Sequence, residues 1–318
     1  MRATHGGARD PRLLDFSASL HPHGPPEAVR EVLARAHTYV QRYPSPDAEE
    51  LCSALALHHG VSESSVLAGN GSADLIYLIA GTLAGRRVHL FRPCFAEYES
   101  ACLALGARLT DHAHDADASF AANPMNPSGA LVAREELLRL PGLRIVDEAF
   151  MGFTDQAQSL VARASTDPDL IVLRSLTKLY ALPGLRLGYV VAHPERVAEL
   201  RRRRAPWNVN GIALAAGLAA LADPEHARTA PAVIAALRTP LVAALTELDI
   251  PPAPSHANYL LCRVPSATKL CLGLLERGIA ARDCSSFGGL EPDRYVRFAV
   301  RTHDENARLI AALKEILS

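Results

Sequence analysis

The sequence predicts an α/β fold, a large domain around a mostly parallel sheet followed by a smaller α+β domain at the C-terminal end. Three observations predict it. The 318 residues are enough for two cores of ordinary size, since a domain averages roughly 150 residues. Between residues 66 and 192, short apolar runs alternate with helical patterns, as parallel strands joined by crossover helices do. Beyond residue 224 that alternation stops, and a long helical stretch leads into a few strands and two further helices.

Taken in order, the chain begins with a polar lead-in to about Pro26, punctuated by Gly and Pro, which reads as an arm. Helical spacing follows over 27–36. A second helix runs over 48–59, after Tyr43-Pro44-Ser45-Pro46-Asp47, with Gly60 as its stop. Val66-Leu67-Ala68 is a strand, Gly69-Asn70-Gly71-Ser72 a turn, and 73–83 an apolar helix. Strands are then expected at 87–91, 118–121, 144–147, 170–174 and 186–192, with a helix at 96–105. Residues 224–248 read as one long helix or as two meeting near Pro240. The segments 259–264, 269–277 and 294–300 build the smaller domain, closed by a helix at 304–317. The expected division is an arm and helix (1–36), a large domain (37–223) and a small domain (224–318).

Composition excludes several classes. Apolar residues make up 49% of the chain and charged ones 21%, which does not fit a disordered, collagen-like or fibrous protein. With 33 Lys+Arg against 34 Asp+Glu, no global charge favours nucleic acid or an anionic membrane. The longest apolar stretch read from the sequence, 211–222, falls short of the ~20 residues of a spanning helix. Six scattered cysteines without a Cys-x-x-Cys pair argue against a disulfide scaffold or structural zinc, and a cytoplasmic setting is expected. The His112/His114 segment reads as a polar connection, not a metal site, and Arg201 to Arg204 as a solvated helix face.

The 33 basic residues include only three lysines, Lys178, Lys269 and Lys314. Where arginine serves nearly every surface role, a lysine in an apolar stretch asks for a chemical reason. Lys178 follows a buried strand in Leu170-Ile-Val-Leu-Arg-Ser-Leu-Thr-Lys178, and a neutral amine there can attack a carbonyl. Arg186, eight residues on, is placed to hold a phosphate. Gly71-Ser72-Ala73 opens a helix and presents free N–H groups to an anion. Asp147 ends a strand, and Asn123-Pro124-Met125-Asn126-Pro127-Ser128-Gly129 is a rigid turn after another.

In this order the pieces resemble the fold-type I enzymes of pyridoxal 5′-phosphate (PLP), and among them the class I/II aminotransferase superfamily. The resemblance implies that Lys178 bonds covalently to the cofactor aldehyde and that Asp147 keeps the ring nitrogen protonated. It implies further that Asn126 bonds the 3′-oxygen, that Phe95 stacks on the ring, and that Gly71, Ser72, Ala73, Ser175 and Arg186 hold the phosphate. Tyr43 would reach the phosphate of a neighbouring subunit, which implies a homodimer with shared sites. Arg297 would take the substrate carboxylate through a bidentate pair.

Within the superfamily, the short chain and the Arg42-Tyr43-Pro44 segment look like the histidinol-phosphate aminotransferases. Three segments resemble their relatives, the L-threonine-O-3-phosphate decarboxylases of cobalamin biosynthesis: His5-Gly6-Gly7 with Leu14-Asp15-Phe16-Ser17-Ala18, Arg282-Asp283-Cys284-Ser285-Ser286-Phe287, and Tyr295-Val-Arg-Phe-Ala-Val-Arg-Thr302. In an extended strand Arg297, Ala299 and Arg301 share a face, with the two cations ~13 Å apart, which suits a substrate with two anionic ends. His5 and Gly6 are expected to join them at the substrate. Phe150 stands where many aminotransferases carry Tyr, which favours decarboxylation. The expected reaction is decarboxylation of L-threonine O-3-phosphate. The alternative is amino transfer on histidinol phosphate or a related phosphorylated substrate.

Overall fold

The computed structural model describes residues 6–317. Its centre is a seven-stranded sheet of β2 (Val66–Gly69), β3 (Arg87–Leu90), β4 (Arg108–Thr110), β5 (Ala118–Ala122), β6 (Leu143–Asp147), β7 (Leu170–Ser175) and β8 (Gly188–Ala192). The order is β2-β8-β7-β6-β5-β3-β4, and only β8 runs against the others. Side chains alternate between two buried faces. Val66, Ala68, Val146, Val172 and Val191 enter one core, while Leu67, Val88, Phe120, Ile145, Leu173 and Val190 enter the other. Helices cover both faces, so these strands read as continuous apolar runs.

The smaller unit holds a three-stranded antiparallel sheet of β11 (Arg282–Asp283), β12 (Tyr295–Ala299) and β9 (Tyr259–Arg263). A short pair of β1 (Leu14–Asp15) and β10 (Ile279–Ala280) lies beside it. The lead-in is therefore tied to the C-terminal part of the chain: Phe16 also donates its N–H to Ala280 O and accepts one from Ala299. Phe16 is fully buried among Leu260, Phe298 and Leu309.

Several expectations change in detail. The helix expected over 27–36 ends at Ala34, and a second short helix, Ala36–Tyr39, follows it. The 224–248 segment is one continuous helix, Pro224–Glu247, despite Pro231 and Pro240 within it. It is long and apolar enough by length and composition to cross a membrane. Ala230, Ile234, Leu241 and Leu245 nevertheless point into protein cores. The strand expected from Arg186 begins at Gly188, because Arg186 itself is left-handed with φ +58°. Arg204 is not part of a solvated face. Its side chain is 3% exposed and bonds Asp47 Oδ1 at 2.5 Å and Ala68 O at 2.6 Å.

Candidate active site

The carboxyl ends of the parallel strands meet the small unit and the lead-in at a cavity of about 180 Å³. Its lining includes Lys178, Asp147, Asn126, Phe95, Ser72, Ala73, Ser175 and Arg186 from the large unit. The small unit adds Arg297, Arg282 and Phe287, and the lead-in adds Gly6, Ser17 and Ser19. A larger cavity of about 810 Å³ lies behind the Lys178 loop, around His59, Glu148 and Arg174. It contains neither Lys178 nor Asp147, so the candidate site is the smaller one.

Four cationic side chains line the smaller cavity (Lys178, Arg186, Arg282 and Arg297) against one carboxylate, Asp147. That imbalance favours a ligand that carries anionic groups. Lys178 sits on the short helix Leu176–Leu179, its ammonium 5.7 Å from the centre of the Phe150 ring. Burial, then the cations Arg297 and Arg186, bring its pKa down to about 8, with Asp147 opposing. An amine lowered this far can lose its proton near neutral pH, as a nucleophile or proton carrier must.

Asp147 ends β6 with its carboxylate out of water. Burial pushes its carboxyl up, while the Tyr98 hydroxyl, the Ala149 N–H and Lys178 pull the other way. Tyr98 donates to Oδ2 at 2.7 Å and Ala149 to Oδ1 at 2.9 Å.

The two asparagines of the turn after β5 have separate tasks. Asn123 is fully buried and pins the chain at Val132 through both its amide atoms. Asn126 faces the cavity and accepts from Arg297 Nη1 at 2.5 Å. Arg297 also donates to Ser17 O at 3.2 Å and lies over the Tyr259 ring at 4.9 Å.

The phosphate-sized end of the cavity is shaped by close approach. Gly71 has φ +86°, and a Cβ there would stand 2.7 Å from Arg186 Nη2. At Gly188 a Cβ would meet the Ser72 N–H at 2.7 Å. Glycine at both positions leaves the Ser72 N–H, at the start of the helix Ser72–Ala80, beside the Arg186 guanidinium. Arg186 holds its left-handed backbone, the kind of strain that gathers at ligand sites.

These residues fit PLP. Arg297 Nε and Ser19 Oγ are buried polar atoms without a hydrogen-bond partner among the described residues, and both side chains line the cavity. The anion cradle, the amine and the buried carboxylate complete a donor set for a phosphorylated aldehyde with a basic ring nitrogen.

Not every expected residue lies here. His5 is outside the described residues. Gly6 lines the cavity, and a Cβ on it would come within 2.1 Å of Ser17 O, so only glycine fits. Tyr43 is 88% exposed and stands apart, 5.7 Å from the Trp207 ring. Arg301 lies beyond the end of β12 and outside the lining, so the shared strand face does not reach it. Its guanidinium donates to Asp15 O at 3.0 Å and Glu305 at 2.8 Å.

Sequence reasoning missed Tyr98 as a site residue and quoted Arg282 and Phe287 only within a motif. Arg282 pairs directly across the strands with Arg297, is 5% exposed, and donates to Ser286 Oγ at 3.1 Å. Two adjacent like charges cost stability unless a ligand sits between them.

The Aminotransferase class I and II family matches residues 11–120 and 104–313. A threonine-phosphate decarboxylase of Salmonella typhimurium is 37% identical over 99% of this chain and 94% of that protein. A histidinol-phosphate aminotransferase of Nitratidesulfovibrio vulgaris is 36% identical over 96% of this chain and 89% of its own length. Among solved structures, an L-threonine-O-3-phosphate decarboxylase from Porphyromonas gingivalis has a TM-score of 0.87 at 28% identity, covering 95% of this chain and 98% of that one.

Proposed function

The chain belongs to the Aminotransferase class I and II family, and from that premise we propose that it decarboxylates L-threonine O-3-phosphate to (R)-1-amino-2-propanol O-2-phosphate and CO₂, a step of cobalamin biosynthesis. Its cofactor is PLP. The observation that carries the substrate is the pair Arg282 and Arg297, side by side in the cavity with no carboxylate partner among the described residues. One receives the substrate carboxylate and the other its phosphate. The 37% identical threonine-phosphate decarboxylase supports the same reading.

PLP, when bound, supplies an electron sink for the pair released as the Cα–carboxylate bond breaks. Asp147 would keep the ring nitrogen protonated, the state that makes the sink effective. Ser72, Ser175 and Arg186 would hold the phosphate, Asn126 would bond the 3′-oxygen, and Phe95 would stack on the ring. Lys178 would bond the cofactor aldehyde and donate a proton to Cα, a task suited to an amine of pKa about 8. Arg297 would bind the substrate carboxylate and fix its orientation for loss as CO₂. Phe150 contributes by leaving no hydroxyl beside Lys178, where it is buried against Tyr259 at 4.8 Å. Arg301 acts at one remove, fastening the Asp15 backbone whose side chain binds Ser17 and Ala8. The exposed Tyr43 completes the site of a partner subunit in a homodimer.

Amino transfer on histidinol phosphate is the second reading, favoured by the 36% identical aminotransferase. One assay separates the two: threonine phosphate is supplied, and CO₂ release is followed beside 2-oxoglutarate consumption. CO₂ release without need of the oxo acid supports decarboxylation, and oxo-acid-dependent turnover without CO₂ overturns it.

A further inference from the structure

An aspartate that must stay ionised in a dry site needs donors aimed at it. Asp147 has two, and one of them, the Ala149 N–H, comes from the backbone two residues on. The other is the Tyr98 hydroxyl at 2.7 Å, the one side-chain donor to this carboxylate among the described residues. Tyr98 is itself immobilised. It is fully buried, its ring stacked on Phe120 at 5.2 Å and meeting Phe95 edge-on at 5.8 Å. Phe95 and Tyr98 lie three residues apart at the start of the helix Ala96–Ala104, so one turn fixes the ring-stacking residue and the carboxylate's donor together.

We propose that Tyr98 is a positioning residue for the cofactor: its hydroxyl bonds Asp147, holds that carboxylate ionised and sets the rotation in which it faces the cavity. This rests on the reading of Asp147 as the partner of the ring nitrogen. The groups that bear on Asp147 are Lys178 from the short helix after β7, Glu148 beside it on the chain, Tyr259 on β9, and Tyr98 with Cys94 behind it. Burial works against the charged form, and Tyr98 and Ala149 work for it.

The test is PLP affinity of the apo-protein across pH in Tyr98→Phe, which keeps the ring and removes the hydroxyl. PLP binding is expected to weaken roughly tenfold. The loss should grow as pH falls, because Asp147 without this donor takes up a proton at higher pH. In an Asp147→Asn background Tyr98→Phe should add nothing. Phe120→Leu disturbs the packing but not the hydroxyl, and should lower the melting temperature while leaving the pH profile of PLP affinity in place. Unchanged affinity in Tyr98→Phe beside a large loss in Asp147→Asn overturns the role of Tyr98 alone. A Phe120→Leu profile matching that of Tyr98→Phe overturns it too, since packing would then explain the effect. Unchanged affinity in Asp147→Asn overturns the underlying reading of the carboxylate.

Discussion

Arg282→Met removes a guanidinium from the cavity while keeping an unbranched side chain of similar length. The buried Arg282 faces Arg297 across the strand pair, and its Ser286 contact is with a neutral hydroxyl. Its guanidinium also lies over the Phe287 ring at 5.4 Å, and no carboxylate among the described residues pairs with it. A hydrogen bond to a charged group is worth about 1.5–3 kcal/mol, or roughly 10- to 150-fold in binding. Two unit charges 4 Å apart interact by about 4 kcal/mol at a near-surface effective dielectric constant. The smaller figure governs here, because the phosphate loses its water on entering. Against this loss, removing one of two facing cations relieves about 0.2–1 kcal/mol of repulsion in the ligand-free protein. The expected result is a fall of roughly 10- to 100-fold in kcat/KM for threonine phosphate. For unphosphorylated threonine the change should stay below about threefold, which is what about 0.6 kcal/mol amounts to. CO₂ release from the two substrates is the assay. Equal proportional losses for both would refute the assignment, since Arg282 would then act on the fold or on the cofactor and not on the phosphate.

Two further outcomes follow from the same geometry. Covalent capture of PLP by the apo-protein should quicken with rising pH and level off above about 8, because the neutral amine of Lys178 predominates there. A rate that keeps climbing toward the ~10.4 of an unburied lysine would contradict the site's electrostatics. Gly71→Ala places a Cβ 2.7 Å from Arg186 Nη2 at φ +86°. PLP affinity should fall at least tenfold, a change that equilibrium dialysis reads directly. Undiminished affinity would remove this turn from the phosphate site.

Much of the large unit was legible because its signals are local. Strands buried on both faces are unbroken apolar runs, and the chain order of a parallel sheet brings their carboxyl ends to one edge. The Gly71-Ser72 turn, Asn126, Asp147 and Lys178 each follow or begin an element there, so their convergence could be expected from sequence. Tyr98 could not, since nothing near it in the chain reveals that its hydroxyl ends beside a carboxylate on β6. Arg282 depends on the register of a two-residue strand. Its partner β12 stops at Ala299, and that early end also carries Arg301 away from the face it was expected to share with Arg297. The lead-in read as an arm because β1 is only two residues long, too short to show alternation. Arg186 read as strand because a left-handed arginine is unfavourable unless something holds it, and here Gly71 leaves room for its side chain.

Every role assigned to the cavity depends on a covalent bond between PLP and the amine of Lys178, and the chain offers a clean measurement of it. Of the three lysines, Lys269 and Lys314 are exposed and only Lys178 lines the cavity. Reduction of the PLP-loaded protein with borohydride, followed by peptide mass mapping, should place one pyridoxyl group per chain on Lys178 and leave the other two bare. A protein that takes up no PLP at saturation, or carries it on Lys269 or Lys314 with Lys178 unmodified, would show that this bond does not form at the cavity.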